Sequence, residues 1–132
     1  MKSLKIIFLS LFATVGILLP LHAEVKQTGA KLVFAEKEYD FGEIDRRGED
    51  KQCVFHFENR GSEPLVVLSA MTSCSCLKTT FSRKPIAPGG KGTITLHLEA
   101  AKVEKGVFHR VVQIHSNSVS GTEMITIKGS SK

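Results

Sequence analysis

The chain has no tryptophan, one tyrosine, three cysteines and four prolines in 132 residues. Without tryptophan, the antibody-type packing of an indole on an inter-sheet disulfide is excluded. Three cysteines cannot build the disulfide framework that very small secreted folds depend on. The sequence also has no G-x-S-x-G elbow and no H-E-x-x-H helix, so no catalytic residue is assigned. Basic residues outnumber acidic ones, 18 to 13, but only Arg46-Arg47 and Arg83-Lys84 stand side by side. A nucleic-acid surface requires clustered basic residues with stacking aromatics, so no nucleic-acid partner is expected.

No apolar stretch reaches the ~20 residues of a membrane-spanning helix. The longest covers residues 6–19 and is interrupted by Ser10, Thr14 and Gly16. Lys2 and Lys5 precede it, and Pro20-Leu21-His22-Ala23 supplies a helix breaker and a small residue after it. This is the layout of a secretory signal peptide over residues 1–23. No cysteine follows until Cys53, which argues against a lipid-modified N-terminal cysteine. The expected location is the periplasm or exterior of a Gram-negative cell envelope, with no membrane span after cleavage. The remaining 109 residues carry a net charge of +3 and have the length of one domain.

What is present is a succession of period-two patterns, and no stretch of ten residues carries a helical stripe. In Lys51–Asn59, Cys53, Phe55 and Phe57 fall on one face, with Val54, His56 and Glu58 on the other. Residues 93–99 set Ile94, Leu96 and Leu98 opposite Thr95 and His97; residues 108–115 set Val112 and Ile114 opposite Val111 and Gln113. Residues 123–128 alternate Ile125 and Ile127 with Met124, Thr126 and Lys128. Residues 65–70 read as a largely buried strand, 31–35 and 38–41 as short first strands, and 78–81 as a further one. Turn residues separate them: Asn59, Gly61 and Pro64, then Pro88 and Gly89, then Gly106, then Asn117. About seven short strands with a turn every ten residues or so predict an all-β, immunoglobulin-like sandwich over residues 31–132. Residues 24–30 are expected to form a loose N-terminal arm.

The order of these motifs resembles a known family. Phe41-Gly42-Glu43-Ile44, Phe57-Glu58-Asn59-Arg60-Gly61 and Glu63-Pro64-Leu65 precede Thr72-Ser73-Cys74-Ser75-Cys76. Pro85-Ile86-Ala87-Pro88-Gly89, Lys105-Gly106-Val107-Phe108 and Ser116-Asn117 follow. Together they are similar to the bacterial domain of unknown function 1573, over about residues 33–129. The resemblance implies an exported immunoglobulin-like sandwich, related to such domains in cilia and centrosome proteins, with no established reaction. Ser75 stands where the family usually has glycine, and Ser118 where an aspartate commonly follows Ser-Asn.

The three cysteines leave several readings open. If residues 74–76 are extended, their Cα atoms lie roughly 6.6 Å apart and the pair cannot close, since a disulfide brings its Cβ atoms to about 3.5–4.5 Å. Closure requires a tight turn, with a strained and relatively oxidising bond, and Ser75 disfavours a turn that needs a positive φ. A hairpin centred near Gly61 would set Cys53 opposite Ala70, leaving Cys74 a few residues beyond register. The readings are a structural disulfide beside a buried Cys53, a redox-active Cys74/Cys76 pair, or a crosslink to another chain. A further reading is a monovalent copper site from Cys74 and Cys76 with the Met71 thioether. Two other features suggest chemistry only superficially. Gly89–Thr93 lacks both phosphate-loop spacing and a following helix, and His56, His97, His109 and His115 sit on polar strand faces. The expectation is therefore a non-enzymatic protein-interaction or assembly module whose partner is another envelope protein. A thiol redox or copper-handling protein is the alternative.

Overall fold

The computed structural model describes Gly16 and residues 28–132. The expected signal peptide, residues 1–23, and the start of the expected arm lie outside the described residues, Gly16 aside. Among the described residues eight strands form: β1 (Leu32–Phe34), β2 (Glu38–Ile44), β3 (Lys51–Asn59), β4 (Val67–Met71), β5 (Leu77–Phe81), β6 (Lys91–Leu98), β7 (Gly106–Ser116) and β8 (Glu123–Ser131). A 3₁₀ turn, Ala100–Lys102, lies between β6 and β7. The strands make two four-stranded sheets, ordered β1-β3-β6-β5 and β2-β8-β7-β4.

The alternation read from the sequence is the alternation of burial. Phe55 and Phe57 from β3 and Ile94, Leu96 and Leu98 from β6 pack across the sandwich on Val112 and Ile114 of β7 and Ile125 and Ile127 of β8. Successive side chains of a strand point to opposite faces, so each strand contributes one apolar row. Phe34 meets Phe55 and Phe57 edge-on, with ring centroids 6.5 and 5.7 Å apart.

Pairing departs from the sequence reading in three places. β3 and β4 are not a hairpin: β3 has β1 on one side and β6 on the other, while β4 crosses to the second sheet and pairs with β7. β6 pairs with β3 from Lys51 to Glu58, so Cys53 lies opposite Leu96, not Ala70. β2 runs three residues further than expected and is parallel to β8, with an irregular register between Asp40 and Glu43. Gly42 takes φ +67° there, and its N–H donates to Asp40 Oδ1 at 2.7 Å. The third departure is the arm. Gly29 and Ala30 are buried, Ser62 N–H donates to the Gly29 carbonyl, and Val119 N–H donates to the Ala30 carbonyl. The ordered sandwich thus begins before residue 31, because the turn at Gly61 lies directly against this segment.

Candidate functional site

Asn59, Gly61, Pro64, Pro88, Gly89 and Asn117, scattered in sequence, meet at one end of the sandwich. Asn59 is fully buried and uses its whole hydrogen-bonding capacity. Backbone N–H groups of Lys31 and Gly61 donate to its Oδ1 at 3.2 and 3.0 Å; its Nδ2 donates to the carbonyls of Glu63 and Ile86 at 2.8 and 2.9 Å. A Cβ on Gly61 would lie 2.1 Å from the Gly29 carbonyl oxygen. Asn117 accepts from Val66 N–H and donates to the Pro64 carbonyl, while Gly89, at φ +79°, donates to the Asn59 carbonyl. Ser118, standing where aspartate is common, still accepts from Leu32 N–H at 3.0 Å. Gly106, at φ +107°, lies at the opposite end, where β7 begins. All of these positions shape backbone, and none presents chemistry.

The cysteine pair lies in the turn from β4 to β5, where the chain passes from the second sheet to the first. Thr72 Oγ1 accepts from Cys74 N–H at 3.3 Å, and Leu77 N–H donates to the Cys74 carbonyl at 3.3 Å. Glu99 N–H donates to the Cys76 carbonyl at 2.8 Å, tying the turn to the end of β6. This curvature brings the Cα atoms of Cys74 and Cys76 to 5.2 Å, and their sulphurs are bonded. Ser75 does not oppose the turn, because no residue other than glycine has a positive φ among the described residues. Cys76 is 1% exposed, whereas Cys74 is only partly covered by the core edge.

Cys53 is a free, buried thiol, and its desolvation pushes its pKa up to about 11. It faces Leu96 from β3 while Thr79 faces Leu96 from β5. Two strand spacings, roughly 9.6 Å, therefore separate Cys53 from β5, beyond the reach of a disulfide. Met71, the last residue of β4, is 59% exposed. With the pair oxidised neither cysteine is a thiolate, so copper coordination with Met71 would require its reduction first. No group of three His, Cys, Asp or Glu side chains suited to a metal occurs among the described residues. The strand histidines are dispersed, His97 bonding Thr80 and His115 bonding Thr122.

One feature escaped the sequence reading. Residues 65–70 read as a largely buried strand, yet Leu68 is 54% exposed. It follows the buried Val67 and so takes the outer face of the strand, beside an irregular register between Val67 and Ser69. Leu68 and Met71 on β4, Val107 and Val111 on β7 and Met124 on β8 are all exposed, and all five belong to the second sheet. Met71 and Met124 flank Gln113 from either side. Among the described residues, β4 is also the only edge strand of five or more residues without a charged side chain; β2 carries Glu38, Asp40 and Glu43, and β5 carries Lys78.

Two facing four-stranded sheets, with the chain crossing between them after β1, β2, β3, β4 and β6, define an immunoglobulin-like β-sandwich domain. The chain belongs to the family described as protein of unknown function (DUF1573), whose profile matches residues 32–131. Among solved structures it is similar to a protein of unknown function from Porphyromonas gingivalis W83. That match has a TM-score of 0.66 and 19% identity, over 84% of this chain and 51% of that one. It is also similar to the ASH/PapD-like domain 7 of human CEP192, with a TM-score of 0.59 and 13% identity, over 90% and 96% of the two chains. A third similarity is to the YadV chaperone, with a TM-score of 0.57 and 14% identity, over 77% and 52%. The chain thus spans about half the length of the Porphyromonas protein. No curated protein matches the sequence. No helix among the described residues is long and apolar enough to cross a membrane.

Proposed function

We propose that this chain is an exported, non-enzymatic protein-interaction or assembly module of a Gram-negative cell envelope. It engages another exported protein along β4 and the apolar side chains beside it. The observation that carries this reading is the uncharged β4 edge, with Leu68 and Met71 exposed on it. Edge strands that avoid pairing commonly carry charge, as β2 does with Glu38, Asp40 and Glu43 and β4 does not, and exposed apolar groups gathered on one face mark interaction surfaces. Similarity to the YadV chaperone and to SfaE, which is named a periplasmic chaperone, supports this mode of action and location. The basic and apolar leader of residues 1–23 supports export.

The test is affinity capture from envelope extract with the wild type and with a Leu68→Lys/Met71→Lys double variant. Both positions are exposed, so the variant should keep its stability to within about 0.5 kcal/mol per substitution. A reproducible set of envelope proteins retained by the wild type and lost by the folded variant is expected. Recovery of the same set by both, or of none by the wild type, overturns the reading.

A further inference from the structure

We propose that the Cys74–Cys76 disulfide is redox-active and exchanges with a dithiol on another exported protein, Cys74 being the sulphur attacked. This goes beyond the interaction reading and shares with it only the premise of export.

A stapling role does not explain the bond. Its cysteines are two residues apart, and closing so short a ring restricts the unfolded chain little. The turn already has its own hydrogen bonds from Cys74, Leu77 and Glu99 N–H groups, and Thr79 Oγ1 ties β5 to the Ala70 carbonyl of β4 at 3.2 Å. The bond therefore joins no elements that are not already joined.

Its surroundings do fit exchange. Cys76 is buried, whereas Cys74 is part-exposed between two exposed serines, Ser73 and Ser75. Short side chains on both sides leave room for an incoming thiolate at Cys74. Cys53 cannot intervene: it lies across β6, out of bonding range, and burial keeps its thiol protonated. A protonated thiol is not a nucleophile, so the resolving thiol must come from the partner. A partner thiolate bonds Cys74 Sγ, the Cys74–Cys76 bond breaks, and the electron pair leaves on Cys76, which takes a proton. A second partner thiolate then attacks the partner sulphur of the mixed disulfide, and Cys74 leaves as a thiolate and is protonated. The partner dithiol is oxidised by two electrons and the Cys74/Cys76 pair is reduced; the reverse sequence regenerates it.

The test equilibrates native protein with mixtures of reduced and oxidised glutathione, then alkylates it and weighs it intact. Across the range, the expected product gains two alkyl groups, at Cys74 and Cys76, with an unchanged β-sheet circular dichroism spectrum, and reverts on reoxidation. In single variants, Cys76→Ser should form a mixed disulfide with oxidised glutathione about tenfold faster than Cys74→Ser. The proposal is overturned if the pair stays oxidised throughout, if it yields only as the spectrum is lost, or if the two variants react equally fast. Should either variant fail to fold, the wild-type titration decides alone. Glutathione needs no protein docking surface, so failure here leaves the β4 reading standing, and failure of the β4 variant leaves this one.

Discussion

Asn59 shows how one side chain can hold a loop end together: a buried amide with four partners secures residues 31, 61, 63 and 86 at once. Replacing it with alanine strands the N–H groups of Lys31 and Gly61 and the carbonyl of Glu63, while the Ile86 carbonyl keeps Leu65 N–H. These three groups are only part-buried, so each orphan costs about 1 kcal/mol, the low end of the usual range, and Asn59→Ala should lose about 3 kcal/mol in urea unfolding. Cys53 gives a second prediction. Burial raises its folded pKa to about 11 from an ordinary 9.0, so the folded state holds its proton while the unfolded chain releases it. That contribution, about 2–3 kcal/mol, is complete below about pH 9 and is lost as pH climbs to about 11. Lysines titrate in the same range, so the measurement is the difference between wild type and Cys53→Ala. Between pH 8.5 and 11, the wild type should lose more stability than the variant.

At the scale of elements, the β6 end is tied to its neighbours by Glu99. Lys102 and Lys78 donate to its carboxylate at 2.5 and 2.6 Å, and these bonds hold its pKa at about 2. A lowered folded pKa gives stability that is present above about pH 4.5 and lost as pH falls toward 2. Acid unfolding followed by circular dichroism should therefore show a steeper loss below pH 4.5 for the wild type than for Glu99→Gln. The strands themselves were legible: β3 was delimited correctly at both ends, and β5 to β8 lay within a few residues of their observed bounds. The full extent of β2 was not, because its continuation past Gly42 rests on a parallel partner 80 or more residues away. Nor was the exposure of Leu68: a run apolar at most positions reads as buried on both faces, and the place of β4 at the edge of the second sheet leaves its outer face bare.

For the molecule as a whole, the sandwich should survive loss of its disulfide. A three-residue ring contributes about 1.5 kcal/mol by chain entropy, small beside a core that draws on both sheets. Reduced protein is thus expected to keep its sheet spectrum and cooperative melting, with only a modest fall in urea midpoint. The thiols show where sequence reasoning stops. Whether Cys74 and Cys76 meet depends on the curvature of five residues, and Ser75 looked like an obstacle until the turn proved to need no positive φ. Cys53 was readable as a core residue from alternation, but its distance from the pair follows from β6 standing between β3 and β5. By itself the sequence determined the strand class, the inward face of most strands and the turns between them, since alternation and turn chemistry act over a few residues. Only the tertiary structure decided that β4 leaves β3 for the other sheet, that β2 runs parallel to β8, and that the Cys74–Cys76 turn closes. Those outcomes come from competition for strand edges and from contacts between distant segments, which no local pattern encodes.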